Sequence, residues 1–132
     1  MGIPEDDLTQ IGASPATRSV LETLKEEGHI SELVDGYRLC IAVACAWNEQ
    51  PDLGNRKNRT NMFGTNTIDS SGLHLRVALT ELYPDYANTP YRVAESLAEL
   101  GAKIVSERMS GTSIEFTELV DLASSIGMPD PS

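Results

Sequence analysis

Nine consecutive apolar residues, numbers 39–47, constrain the fold more than any other feature of the sequence. They read LCIAVACAW and extend an amphipathic pattern that begins near residue 32. A helix that is apolar on every side has to be surrounded by other helices or by a partner chain. The run is also far shorter than the roughly 20 residues that span a bilayer. It therefore predicts a central helix, residues 32–48, that is packed inside a helical domain or against a second protein.

Capping residues predict where the other helices begin and end. Ser14 followed by Pro15 favours a helix start, because serine can cap the helix and proline fits its first position. Gly28 is placed to end that helix. Cap residues and apolar spacing predict three more helices near residues 70–83, 88–111 and 112–127. Gly101 lies inside the apolar stripe of the fourth helix, which indicates close contact with another helix.

These elements predict an all-α fold, a compact five-helix domain over residues 14–127. Residues 1–13 are interpreted as a tail or a short extended segment, and residues 128–132 as a second tail. The long polar segment 48–70 is predicted to be a loop, and segments of this length without regular structure are usually functional or disordered. Met62 and Phe63 interrupt its polarity and are expected to fasten the middle of the loop to the core.

The charge of the chain is uneven. The net charge is −10 with a pI near 4.5, which on average repels phosphate backbones. Residues 55–83 reverse this sign, with Arg56, Lys57, Arg59 and Arg76 against two carboxylates. Of the three segments 1–54, 55–83 and 84–132, it is the only one in which basic residues outnumber acidic ones.

The basic part of the polar segment is the strongest functional candidate in the sequence. Arg56, Lys57 and Arg59 can contact phosphates, and Asn61 can donate to phosphate or read base edges. These four residues are the candidate nucleic-acid-binding site, so DNA is one candidate partner. The alternative is a solvated loop that partly neutralises an acidic surface.

Catalytic, metal-binding and cofactor-binding motifs are not recognisable in the sequence, so the chain is interpreted as a non-enzyme without a cofactor or a small-molecule substrate. Asp69, Ser70 and His74 contain the residue types of a catalytic triad, but their close spacing favours a helix cap with a solvated histidine. Cys40 and Cys45 lie in the apolar run and are interpreted as reduced thiols of a cytoplasmic protein with no membrane span.

Aromatic residues give a candidate protein interface. Tyr37, Trp47, Tyr83 and Tyr86 are amphipathic rings of the kind enriched at interfaces, and packing onto the core is the alternative for the two tyrosines of the third-to-fourth helix turn. Glu95 and Glu99 are expected on the solvated face of the fourth helix, without a function. The apolar second helix and the aromatic residues together predict a protein partner or a homo-oligomer.

The first half of the chain has the layout of a ribbon-helix-helix unit: a short extended segment, a helix, a tight turn and a longer apolar helix. Residues 17–47, followed by Asn61-Met62-Phe63-Gly64, resemble small helical proteins of bacterial and archaeal DNA-phosphorothioation and related defence loci. The resemblance implies a ribbon-helix-helix-like fold that oligomerises and associates with DNA. Two features depart from it, since this chain is acidic and residues 8–11 lack the basic and amide side chains that read the major groove.

Two functions follow from these observations. The first is a non-enzymatic interaction subunit of a DNA-modification or defence-type complex, which oligomerises or docks on a larger protein. The second is a DNA-binding accessory protein that uses the basic residues 55–61.

Overall fold

The computed structural model describes residues 7–53, 58–69 and 74–109. Helices account for 64% of the described residues. The elements are β1 (Gln10–Ala13), α1 (Pro15–Glu26), α2 (Leu33–Ala46), β2 (Thr60–Gly64), α3 (Thr65–Ile68), α4 (Leu75–Leu82), a 3-10 turn (Pro84–Tyr86) and α5 (Pro90–Met109). The predicted helix at residues 112–127 lies outside the described residues.

The ends of α1 are as the sequence predicts. The Ser14 hydroxyl accepts a hydrogen bond from the backbone N–H of Thr17 at 3.3 Å, and Pro15 occupies the first position of the helix. Gly28 follows the helix with a φ of 79°, in the left-handed region that favours glycine. The prediction of a helix between Ser14 and Gly28 is confirmed.

The core is built around the contact between α2 and α5. The middle of α2, residues 39–44, is entirely buried by this chain. Gly101 of α5 lies against the backbone of Cys40, so that a Cβ at position 101 would overlap the Cys40 carbonyl oxygen. The predicted close helix contact at Gly101 is confirmed. The chain itself surrounds residues 39–44 of the apolar run, and the burial of this part therefore gives no independent indication of a partner.

The predicted loop at residues 48–70 contains regular structure, so the fold is mostly helical but not purely all-α. Strand β2 pairs antiparallel with β1, with Ile11 opposite Phe63 and Ala13 opposite Thr60. The register shifts between Ile11 and Gly12, where Met62 is the extra residue on β2. The short helix α3 follows β2 directly. Met62 and Phe63 are half-buried against the core, as expected of residues that fasten this segment.

Two aspartates cap the N-termini of α4 and α5. The Asp69 carboxylate accepts hydrogen bonds from the backbone N–H groups of His74, Leu75 and Arg76, at the start of α4. The Asp7 carboxylate accepts from the first N–H groups of α5, those of Tyr91 at 3.0 Å and Arg92 at 2.9 Å. Free N–H groups at a helix start need such acceptors. The capping role that the sequence predicts for Asp69 is confirmed.

None of the described helices is long and apolar enough to cross a membrane.

Candidate functional site

Arg59, which the sequence places in a phosphate-binding loop, points into the protein. Its Nη1 lies 3.2 Å from Oε1 of Glu95, and its Nε lies 3.8 Å from Oε2 of Glu99. The exposed fractions of the three side chains are 10%, 1% and 15%. We call these residues the Arg59–Glu95–Glu99 cluster. The expectation that Glu95 is a solvated residue of α5 is wrong, because the whole circumference of α5 is buried at residues 93–98.

The two glutamates of this cluster also accept hydrogen bonds from β1 and from Ser14, the residue that follows it. Glu95 Oε2 accepts a hydrogen bond from the N–H of Gly12 at 2.9 Å. Glu99 accepts from Ser14 twice, from its N–H at 2.9 Å and from its hydroxyl at 2.6 Å. The cluster thus connects the approach to β2 with β1 and α5, and its residues serve as structural anchors.

Tyr37, on α2, contacts β1 close to the Arg59–Glu95–Glu99 cluster. Its hydroxyl donates to the carbonyl oxygen of Gly12 at 2.7 Å, and its ring stands edge-on to Phe63 with the centroids 5.4 Å apart. Burial, with a further contribution from Glu95 and Glu99, raises the pKa of Tyr37 well above its ordinary value. Tyr37 is fully buried. It is therefore a core residue, although the sequence suggested it for an interface.

The backbone of β1 has hydrogen-bond partners on both sides around Gly12. One edge of β1 pairs with β2, and on the other side Gly12 bonds to Glu95 and Tyr37. The strand partner of β1, β2, therefore comes from the same chain.

The remaining nucleic-acid candidates are only partly covered by the structure. Arg56 and Lys57 lie outside the described residues. Asn61 is exposed on β2, next to the exposed Thr60, and Asn58 is exposed with a φ of 63°. The Arg59 side chain is thus directed into the protein while Asn61 is exposed, although the two residues are only two positions apart in the sequence.

A polar cavity of about 370 Å³ lies beside the Arg59–Glu95–Glu99 cluster. It is lined by Asp52, Asn58, Arg59, Ser96, Glu99, Leu100 and Lys103. Two cationic and two anionic side chains balance each other there, so the lining has no net preference for an anion or a cation. Within the described ranges, no cluster of three or more histidine, cysteine or carboxylate side chains could hold a metal ion.

Of the residue types of a triad near position 70, Asp69 caps a helix. Asp69 bonds to the three backbone N–H groups at the start of α4 and also accepts from the Tyr91 hydroxyl at 3.2 Å. His74 is exposed and meets Asp69 through its backbone N–H, and Ser70 lies outside the described residues. The carboxylate is thus engaged by the backbone and by Tyr91, and it does not orient the imidazole.

The other aromatic candidates lie near the carboxyl ends of α2 and α4. Trp47 is 36% exposed, and the guanidinium of Arg108 lies 5.6 Å from the centroid of its ring, at cation–π distance. Tyr83 is buried and donates its hydroxyl to the carbonyl oxygen of Glu49 at 2.7 Å. Tyr86 is half-buried against the core.

Cys45 lies beside Tyr83 in this region. Burial raises the pKa of the Cys45 thiol to about 11, although its hydrogen bond with Tyr83 acts in the opposite direction. Burial raises the pKa of Cys40, deeper in α2, to about 12. Both thiols are therefore protonated at neutral pH, which makes them poor nucleophiles.

Sequence reasoning missed Glu95 and Glu99 as the partners of Arg59. Small residues on both sides of Glu95, namely Ala94, Ser96 and Ala98, were the available signal. They leave α5 without a broad polar face at this point, which is typical of a helix packed on all sides.

No protein-family model matches the sequence, and comparisons with curated proteins and with solved structures also gave no match.

Proposed function

We propose that this chain is a non-enzymatic interaction subunit that docks on another protein, or on a second copy, through the surface formed by Trp47 and Leu82. We call it the Trp47–Leu82 surface. The observation that carries the proposal is the exposure of two large apolar side chains, 36% for Trp47 and 50% for Leu82. The hydrogen bond between Tyr83 and Glu49 joins the chain segments that carry them.

The chemistry of this surface suits a protein partner. Tryptophan and arginine are enriched among the residues that contribute most to binding, and here Arg108 lies over the Trp47 ring. The ring is therefore held in place before a partner arrives, which lowers the entropy cost of docking. The layout resemblance to proteins of DNA-phosphorothioation loci supports a partner from a DNA-modification or defence-type complex.

The intrinsic fluorescence of Trp47 tests this proposal directly, because it is the only tryptophan in the chain. The full chain should be titrated with itself and with the products of adjacent genes, while light scattering gives the mass of each mixture. Docking moves the emission maximum to shorter wavelength and increases the mass. The Leu82→Ser variant should weaken both effects, because it removes half of the surface and keeps the fluorophore.

The matched control is Val77→Ser. Val77 is also exposed on α4, at 48%, but five residues from Leu82 place it about 140° away around the helix. This variant should bind like the unmodified chain. Binding that is unaffected by Leu82→Ser, or a chain that stays monomeric and binds none of these products, would rule out the proposed surface.

The second candidate function is that of a DNA-binding accessory protein. Exposed polar side chains at Asn58, Thr60 and Asn61 directly follow Arg56 and Lys57 and favour this candidate. Since Arg59 is engaged with Glu95, its substitution would disturb the fold and would not measure DNA contact.

The test is the salt dependence of binding to duplex DNA. In the Arg56→Ala/Lys57→Ala variant, loss of two phosphate contacts should reduce the slope of log K against log salt by about 2. The control is Arg18→Ala/Lys25→Ala, which removes the same charge from exposed positions on α1. Equal losses in both variants, or no binding by the intact chain at low salt, would exclude specific use of this segment.

A further inference from the structure

The first turn of α5 has two candidate caps, of which the structure uses one. Thr89 directly precedes the helix, and its carbonyl oxygen accepts a hydrogen bond from the N–H of Val93 at 3.1 Å, as expected of an N-cap residue. Thr89 is fully buried, yet its hydroxyl has no hydrogen-bond partner among the described residues. Such a group is uncommon in folded proteins, because the loss of its contact with water is not compensated.

The N–H groups that the Thr89 hydroxyl would cap are bound to another residue. The side chain of an N-cap threonine accepts from the N–H of the second or third residue of the helix. In α5 these residues are Tyr91 and Arg92, and both donate to the Asp7 carboxylate. Pro90, the first residue of the helix, has no N–H. Asp7 therefore takes both of the donors that the hydroxyl could use.

The physical chemistry of the two groups explains which one is bound. The Asp7 carboxylate accepts from two N–H groups at once, and its negative charge is favourable at the N-terminus of a helix. The Thr89 hydroxyl is uncharged, and a single threonine cap accepts from one of the two N–H groups. The hydroxyl is therefore the weaker cap of α5, but it belongs to the residue that lies directly beside the helix.

Asp7 reaches α5 through a short piece of chain. Between Asp7 and β1, Leu8 is half-buried against the core. At Thr9 the backbone is already fixed, because its carbonyl oxygen accepts a hydrogen bond from the N–H of Thr65 at 3.0 Å. Among the described residues, only Asp7 and Leu8 thus have to move for the carboxylate to leave the helix. We call these two residues the Asp7–Leu8 strap.

We propose that the Asp7–Leu8 strap is exchangeable and that Thr89 is the reserve cap of α5. When the Asp7 carboxylate leaves, the Thr89 hydroxyl accepts a hydrogen bond from Tyr91 or Arg92, and the first turn of the helix stays formed. The replacement is partial, because the hydroxyl brings no charge and serves one N–H group. The strap can therefore detach from the domain without unfolding α5.

A double-mutant cycle of Asp7→Ala and Thr89→Val tests this proposal by urea unfolding. Valine keeps the shape of threonine and removes the hydroxyl. With Asp7 present, Thr89→Val should not raise the equilibrium constant for unfolding, because the hydroxyl that it removes has no partner. In the Asp7→Ala background, the same substitution should raise this constant about fivefold, since the only remaining cap is lost.

The change of sign between the two backgrounds is the decisive result. The matched control for the first substitution is Asp85→Ala, which removes a carboxylate of the same charge from an exposed position before α5. In that background Thr89→Val should behave as it does in the unmodified chain. An equal effect of Thr89→Val with and without Asp7 would overturn the proposal.

Hydrogen exchange followed by NMR tests the exchange of caps at the helix itself. In the Asp7→Ala variant, the amide of either Tyr91 or Arg92 should stay protected, because it donates to Thr89. In Asp7→Ala/Thr89→Val both amides should be unprotected, with exchange at the formerly protected one faster by about fivefold or more. Full exposure of both amides in Asp7→Ala alone would overturn the proposal. If the double variant failed to fold, this result on the single variant would decide.

Discussion

Replacing Arg59 by alanine should destabilise the protein strongly, although the sequence places this residue in a polar surface segment. Breaking a buried ion pair by removing one partner typically costs about 3–5 kcal/mol, because the other charge stays buried without compensation. Glu95 is 1% exposed and would be that charge. Both glutamates keep their hydrogen bonds, Glu95 from Gly12 of β1 and Glu99 from Ser14. We therefore expect the lower end of this range, about 3 kcal/mol.

Urea unfolding followed by circular dichroism measures this loss, and a thermal scan should show a Tm lower by about 12 °C. The double variant Arg59→Met/Glu95→Gln also removes the charge of Glu95 and should be more stable than Arg59→Ala, since the more deeply buried of the two carboxylates is no longer left charged without its partner. The control is Arg18→Ala, which removes an exposed pair with Glu22 and should change stability by less than about 0.5 kcal/mol. If Arg59→Ala were as harmless as this control, the inward placement of Arg59 would be refuted.

Four further predictions concern the packing and the titrating groups. Gly101→Ala should lower the stability by about 2 kcal/mol or more in urea unfolding, since its methyl group would overlap the Cys40 backbone; an unchanged midpoint would contradict this close approach. Asp7→Ala should lower the stability by about 1 kcal/mol, because α5 loses its cap; a Tm equal to that of the unmodified chain would argue against this role. Cys40 and Cys45 should resist a thiol reagent at pH 8 until the protein is unfolded, and rapid labelling of both in the folded state would be inconsistent with their burial. Folding raises the thiol pKa from 9.0 to about 12 for Cys40 and to about 11 for Cys45. The free energy of unfolding should therefore keep its full value below pH 9 and decrease as the pH rises from 9 towards 12. Urea unfolding across this range would show the decrease.

Local signals in the sequence predicted the helical part of the fold. Ser14, Gly28 and Asp69 act as caps or helix ends in the structure, because capping depends on the few residues around one helix terminus. The close contact at Gly101 was also predictable, since a glycine inside the apolar stripe of a helix costs stability unless a neighbouring backbone needs the space. These features need no knowledge of distant parts of the chain.

The small sheet could not be predicted in the same way. Strand β2 is only half-buried and lies in a polar segment, so it lacks the alternation of apolar and polar residues that marks a strand. Its partner β1 is about fifty residues earlier in the chain, and pairing over such a separation depends on tertiary packing. Met62 and Phe63 indicated contact with the core but not the strand.

The inward direction of the Arg59 side chain could not be predicted from the sequence either. Its neighbours in sequence are polar, which favours a solvated loop, whereas its partners Glu95 and Glu99 come from α5. Only the packing of β1 on α5 creates the place where the guanidinium meets both carboxylates. The candidate site predicted from the sequence therefore loses Arg59, and Arg56, Lys57 and Asn61 remain the residues to test for DNA contact.

The most direct test of this fold is whether β1 pairs with β2 in the same chain. Isotope-filtered NMR on an equimolar mixture of labelled and unlabelled chains, refolded together, separates contacts within a chain from contacts between chains. The structure predicts nuclear Overhauser effects between Ile11 and Phe63 that arise only within one chain. Contacts of β1 between labelled and unlabelled chains, as in a shared ribbon, would contradict it.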